Sequence, residues 1–301
     1  MKRISWNGVF PAVTTKLRPD LSLDTDAIRA GLERLERSGV AGVVMMGMVG
    51  ENASLTPEEK LTVLRTARST LSDRLPVLSG VAETSTEKAV GFAREAERLG
   101  VDGLMVFPAL TYRSDARETV EFHRSVARAT RLPILLYNNP RAYGVDVTPD
   151  VLAALRDEET IVAIKEETYD TTRVSDLLAR FGDRFAVVCG VDDLVLESAA
   201  LGVRSWVSGM ANAVPEACVK LLALAVAGKL EEARRLNQAL IPLFHLDTHV
   251  KLVQYIKLAE SVTAGHAETV KPPRLPLVGE ERERVLAIVH QTLADLRGLG
   301  A

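Results

Sequence analysis

Eight short runs rich in valine, isoleucine and leucine recur along the 301-residue chain, and a stretch of helical periodicity follows each. The runs span residues 8–13, 41–48, 76–80, 102–107, 133–137, 161–166, 185–189 and 205–208. They are nearly continuous in apolar character and do not alternate with polar residues, so both faces of each strand are buried, which predicts a parallel sheet covered by helices. Eight such units in one chain predict a closed (β/α)8 barrel, the TIM-barrel form of the α/β class, over residues 1–225. A doubly wound sheet is the alternative. No Gly-x-Gly-x-x-Gly follows the first run and no Walker loop occurs, which disfavours that fold together with dinucleotide and nucleotide binding.

Helix signals agree with this frame. Ile28, Leu32 and Leu35 share one helical face, as do Leu61, Leu64 and Ala67, and Phe92, Ala96 and Leu99. Thr56-Pro57-Glu58-Glu59 reads as a capping box with proline at the first helical position, and Thr84 with Glu87 as a second box. Gly39, Gly100 and Gly182 fall where helices should stop. Residues 226–301 carry three further helical patterns, broken by Lys271-Pro272-Pro273-Arg274-Leu275-Pro276, and read as a C-terminal extension packed on the barrel. Its apolar stripe Val250, Val253, Ile256 and Leu258 faces either the barrel or another subunit.

A hydrophobic content of 47% supplies a large core, and a formal charge of −3 with scattered cations offers no basic stripe for nucleic acid and no polybasic membrane patch. Small-molecule chemistry is the expectation. The start Met1 to Gly8 is basic but lacks an apolar signal region, and no run reaches membrane-spanning length, so a cytoplasmic location is expected. Cys189 in a strand and Cys218 in a helix, without CxxC spacing, read as two buried thiols.

In a barrel of this kind chemistry sits at the C-terminal strand ends. Lys165 closes the sixth run, Ile161-Val162-Ala163-Ile164-Lys165-Glu166. Apolar strand surroundings cannot solvate an ammonium, so an inward lysine should have its pKa lowered and act as a nucleophile toward carbonyl carbon. A lysine at a strand end can also snorkel into water. Tyr137 ends the fifth run and is either a proton donor or acceptor beside Lys165 or a core tyrosine. Gly47 and Gly50 flank Met48 and Val49 in a turn whose backbone N–H groups suit a carboxylate, or in a tight βα turn without a ligand. His245 and His249, with Asp247 between them, have helical spacing but no HExxH glutamate, which disfavours a metal role, and Asp192-Asp193 fits a helix N-terminus. His123 and His290 fall in charged helical stretches and are expected on solvated faces.

Gly47-x-x-Gly50-Glu51, Tyr137-Asn138-x-Pro140, Ile164-Lys165-Glu166 and Gly202-x-x-x-x-x-Ser208-x-x-Ala211-Asn212 occur in this order over essentially the whole chain. Together they resemble the N-acetylneuraminate lyase and dihydrodipicolinate synthase (DapA) family of Schiff-base-forming barrels. The resemblance implies class I chemistry in which Lys165 forms an imine with a 2-oxo acid and Tyr137 relays protons. It also implies substrate contacts from Gly47, Met48, Val49, Gly50 and Asn212, a homotetramer and no cofactor.

Departures from that pattern bear on the reaction. The synthases carry Gly-Thr-Thr-Gly-Glu and the sialic-acid lyases Gly-Ser-Thr-Gly-Glu where this chain has Met48 and Val49. Leu110 stands at the synthases' relay tyrosine, with Tyr112 nearby, and Ala142 stands at their carboxylate-binding arginine, with Arg141 one place early. Dihydrodipicolinate synthase activity is therefore disfavoured, and a drier pocket mouth suits a smaller substrate with one carboxylate. Gly-Met-Val-Gly-Glu-Asn with Tyr-Asn-Asn-Pro is most similar to the branch deaminating 1-pyrroline-4-hydroxy-2-carboxylate in hydroxyproline degradation. A 2-keto-3-deoxy sugar-acid dehydratase or aldolase, or an N-acetylneuraminate lyase-like aldolase, is the enzymatic alternative, with Thr168, Thr171, Asp192 and Asn212 available for sugar hydroxyls. A non-catalytic barrel that binds a 2-oxo acid is the alternative from outside enzymology, and the retention of Lys165 with Tyr137 argues against it.

Overall fold

The strands β1 (Gly8–Pro11), β2 (Val43–Met45), β3 (Val77–Val81), β4 (Gly103–Val106), β5 (Ile134–Asn138), β6 (Ile161–Glu166), β7 (Ala186–Cys189) and β8 (Ser205–Ser208) are all parallel and pair in the order β1-β8-β7-β6-β5-β4-β3-β2. The structure is a computed structural model that describes residues 4–300, so the basic start Met1-Lys2-Arg3 lies outside the described residues. Between β1 and β2 the ring is joined by an Ala12–Val44 bridge, with Val13 N–H donating to Val44 O at 2.9 Å and Ala41 N–H to Val9 O at 2.8 Å. The result is the (β/α)8 barrel that eight doubly buried apolar runs require. Helices alternate with the strands, and the helices Leu230–Phe244, Leu252–Ala264 and Gly279–Gly298 follow the last barrel helix, Pro215–Val226. None of the described helices is long and apolar enough to cross a membrane.

Local signals explain most boundaries. Thr56 caps Pro57–Thr70 in a complete capping box with Glu59. The second box is displaced by one residue: Ser85, not Thr84, accepts from Lys88 N and starts Thr86–Arg98. Gly39, Gly100 and Gly182 end helices with positive φ. His123 is a correction, because it is 1% exposed, on the Val120, Val126 and Ala127 face of Ala116–Arg128. Both its nitrogens lack partners, and burial lowers its pKa to about 4. His290 is exposed as expected. Cys189 and Cys218 are free and buried, and burial pushes the Cys189 thiol up to about 12.

The stripe in the appendage packs inward at Val253, Ile256 and Leu258, while Val250 is 90% exposed. Two buried ion pairs tie the helix Leu252–Ala264 to the top of the barrel. Lys16 Nζ meets Glu260 Oε1 at 2.6 Å, and Lys257 Nζ meets Glu51 Oε1 at 2.5 Å. Glu51 Oε2 also accepts from Lys271 N at 2.8 Å, so the turn after β2 and the appendage share one fully buried carboxylate.

Candidate active site

A cavity of about 520 Å³ opens at the C-terminal ends of the strands, a size suited to a small ligand. A larger cleft of about 1000 Å³ lies at the other end of the barrel, among Trp6, Pro133 and Arg184. No lysine, histidine or cysteine lines it, and in this fold that end serves stability.

Lys165 and Tyr137 are register partners on β6 and β5, so neighbouring strands deliver both into the cavity. The Lys165 side chain is 8% exposed, and its ammonium lies 3.9 Å from the Tyr137 ring centroid. It does not snorkel, and it does not sit bare in hydrocarbon either. Glu167 reaches back from the end of β6 and forms an ion pair with Lys165 Nζ through Oε2. The same oxygen accepts from Tyr137 OH at 2.8 Å, and Asn139 Nδ2 donates to Glu167 Oε1 at 2.9 Å. Gly190, after β7, leaves room for this arrangement: a Cβ there would stand 3.0 Å from both Lys165 Cγ and Glu167 Cβ. Phe107 and Tyr143 meet the Tyr137 ring edge-on at 4.7 and 5.6 Å between centroids, closing its apolar side.

Burial and the adjacent Glu167 charge raise the Tyr137 phenol well above its usual value, so it keeps its proton near neutrality. Asp247, from the turn His245–Thr248 ahead of the appendage helix, also lines the cavity. Burial and the nearby carboxylates of Asp192 and Glu167 push its carboxyl well up. Gly209 permits its approach, since a Cβ there would lie 2.5 Å from Asp247 Oδ1.

Met48 and Val49 line the cavity, but Gly47 and Gly50 do not. The turn is built by neighbours. Met46 has φ 58°, its carbonyl accepts from Asn52 Nδ2 at 2.6 Å, and a Cβ on Gly80 would lie 2.1 Å from that carbonyl oxygen. Asn212 corrects the sequence expectation. It is fully buried away from the cavity, where Nδ2 donates to Ala12 O and Gly209 O at 2.8 Å each and Oδ1 accepts from Thr14 N at 3.2 Å. Its amide fastens the turn after β8 to the segment after β1, with both N–H groups and the oxygen engaged by backbone.

Of the residues considered for sugar hydroxyls, Thr168, Thr171 and Asp192 also lie outside the cavity lining. Asp192 is consumed by Trp206 Nε1 at 2.9 Å, Ser208 Oγ at 3.1 Å and Met210 N at 2.8 Å. Tyr112 is 58% exposed and turns to Glu118, so it does not replace the missing relay. His245 turns to Asp193 at 2.9 Å and His249 packs on Tyr255, so the two histidines do not converge, and no described group of three His, Cys, Asp or Glu is arranged to hold a metal. The pocket is more polar than the sequence led us to expect, because Glu167, Asp247, Arg141, Tyr143 and Tyr169 all reach it.

The model of the dihydrodipicolinate synthetase family matches residues 5–292. The chain belongs to that family. A relative from Methanothrix thermoacetophila named 4-hydroxy-tetrahydrodipicolinate synthase is 36% identical over 299 residues, covering 97% of this chain and 99% of the relative. The solved 4-hydroxy-tetrahydrodipicolinate synthase from Methylacidiphilum fumariolicum SolV superposes with a TM-score of 0.93 at 28% identity, covering 98% of both chains. YagE, a prophage protein of the dihydrodipicolinic acid synthase family from E. coli K12 solved in complex with pyruvate, superposes with a TM-score of 0.91 at 25% identity, covering 96% of this chain and 99% of that one. The protein is thus an enzyme of the class I lyases and aldolases that make up this family.

Proposed function

We propose that the protein is a lyase that binds a small 2-oxo or cyclic 2-imino acid as an imine of Lys165, and that its reaction is the deamination of 1-pyrroline-4-hydroxy-2-carboxylate. The observation that carries this reading is the Lys165, Glu167 and Tyr137 cluster at the end of β6, in a cavity where Met48, Val49 and Ala142 stand at the positions of the synthase-type hydroxyls and arginine. Ala142 offers no guanidinium to a second carboxylate, and the Arg141 guanidinium that does line the cavity sits over the Tyr169 ring, 5.0 Å from its centroid, which fits a substrate with one carboxylate. The substrate carboxylate lies at the Met48–Val49 turn.

In this reading Lys165 attacks C2 of the cyclic imine and becomes the imine nitrogen as the ring nitrogen is displaced. The imine acidifies C3, the C3 proton leaves, and the C4 hydroxyl departs as water. Asp247, whose carboxyl is pushed well up by burial and the nearby carboxylates, lines the cavity and is suited to protonate that hydroxyl. The C3=C4 bond then shifts to C4=C5 as a C5 proton leaves and one returns to C3, protonation at C4 turns the C5 enamine into an imine, and hydrolysis of that imine and of the Lys165 imine frees ammonia, 2,5-dioxopentanoate and Lys165, one water being consumed overall. The assembly is a homotetramer, to be checked by sedimentation.

Asp247, Arg141 and the tyrosines at the mouth favour one second reading, a 2-keto-3-deoxy sugar-acid dehydratase or aldolase, whose substrate hydroxyls need such groups. Incubation with each substrate, followed by separate assays for ammonia and pyruvate, tests the choice. Pyruvate from an aldol substrate without ammonia from the pyrroline rejects the deaminase. Borohydride reduction with pyruvate tests the shared chemistry, and absence of an adduct on Lys165 rejects both.

A further inference from the structure

We propose that Glu167 is the acid–base residue that removes and returns the C3 proton of a 2-oxo acid held as an imine on Lys165. The proposal rests on the imine reading above and adds a catalytic group to it. On a strand, residues two apart share a face, so Glu167 follows Lys165 toward the cavity while Glu166 points away to Asn138 Nδ2 at 3.1 Å. Glu167 Oε2 contacts the Lys165 nitrogen directly, and in the imine that nitrogen is one carbon away from C3 through C2. No other described carboxylate pairs with Lys165.

The other candidates are poorly placed for proton abstraction. Met48, Val49 and Leu110 carry no titratable group. Tyr112 is turned outward, and burial raises the phenols of Tyr137, Tyr143 and Tyr169. Asp247 is also raised, by burial and by its acidic neighbours, so it is better supplied with a proton than ready to take one. Glu167, by contrast, is an ion-paired carboxylate oriented by Tyr137 OH and Asn139 Nδ2. When the substrate closes on Lys165, Oε2 takes the C3 proton, the C–H electron pair forms the C2=C3 bond, and the C2=N pair moves onto nitrogen to give the enamine. In the reverse direction the Glu167 acid protonates C3, and exchange of that acid proton with solvent labels the substrate.

Pyruvate in D2O reads this step without the natural substrate. Loss of the methyl proton signal by NMR measures C3 exchange, and borohydride reduction with peptide mass spectrometry measures the adduct in parallel samples. Glu167→Gln should retain the Lys165 adduct while exchange falls by roughly 10²- to 10⁴-fold, the usual contribution of a general acid or base. Glu167→Ala should regain exchange when formate is added. Should the glutamine variant not fold, Glu167→Asp keeps the charge beside Lys165 and should form adduct with slowed exchange. Exchange at the wild-type rate in a variant that forms adduct overturns the proposal alone. Loss of adduct in Glu167→Gln assigns the residue to imine formation and also overturns it. A wild-type protein that forms no adduct overturns the functional reading with it.

Discussion

Removing the Glu51 carboxylate should cost stability out of proportion to one surface ion pair, because both partners are out of water. Glu51 is 0% exposed and Lys257 1%, and their charged atoms lie 2.5 Å apart. At an effective dielectric of about 20, that separation is worth roughly 6–7 kcal/mol of gross attraction. In Glu51→Gln the ammonium keeps Thr269 O at 2.6 Å, a contact common to both forms, and gains an amide oxygen as acceptor where the carboxylate oxygen stood. A hydrogen bond to a charged group retains about 1.5–3 kcal/mol, so the net loss is about 4 kcal/mol, within the 3–5 kcal/mol range for breaking a buried pair by removing one partner. For a chain of this size about 2 °C per kcal/mol converts this into a melting-point drop of roughly 8 °C. Melting should be followed by circular dichroism at fixed protein concentration, since any assembly would make the midpoint concentration-dependent. Lys257→Met should lose less, because Arg274 Nη1 stays 3.7 Å from Glu51 Oε2, and Glu51→Gln with Lys257→Met should recover most of the Glu51→Gln loss, because an unpaired buried charge causes the damage. Additive losses in the double variant, or a Glu51→Gln midpoint equal to wild type, would refute the reasoning. The turn carrying Met48 and Val49 leads directly into Glu51, so a 2-oxo acid should also bind more weakly to the single variants.

Lys165→Ala should abolish the borohydride adduct with pyruvate and all turnover; residual adduct would place the imine on another lysine. Asp247→Asn should slow turnover of a hydroxylated substrate by roughly 10²-fold or more with little loss of pyruvate trapping, since the residue serves the leaving hydroxyl. The raised Asp247 carboxyl also gives wild-type turnover an alkaline limb, activity falling as pH rises through that folded-state value, and a variant with the same limb would detach it from Asp247. His123→Leu should stabilise the protein by about 1–3 kcal/mol at pH 7, because both imidazole nitrogens are buried without partners. With a folded pKa of about 4 against 6.5, wild type loses stability as pH falls through that window, by about 3 kcal/mol in full, and a variant that melts in parallel with wild type from pH 7 to 4 would refute the assignment.

The barrel could be read from the chain because its strands are buried on both faces, a condition that writes itself as uninterrupted Val, Ile and Leu runs and needs no knowledge of distant contacts. Lys165 stood out for the same reason, a cation closing such a run. Glu167 was within reach of the same logic and was passed over: two residues beyond Lys165, it had to share the lysine's face, so the counter-ion was written into the strand's period. His123 shows the parallel lapse on a helix. Its charged neighbours suggested a solvated face, whereas spacing from Val120, Val126 and Ala127 places it with the buried side chains. Asn212 and Asp247 are different in kind. An asparagine amide offers the same donors and acceptor to a backbone as to a ligand, and only the closeness of Ala12 and Thr14, just beyond β1, decides between them. Asp247 enters the cavity because the appendage helix is clamped by Lys257 to Glu51 and by Glu260 to Lys16, contacts separated by more than 200 residues. The clamp that sets the stability of the top face therefore also sets the chemistry of the pocket. A chain with the same eight strands and a differently anchored appendage would keep the lysine and present different groups to the substrate's far end.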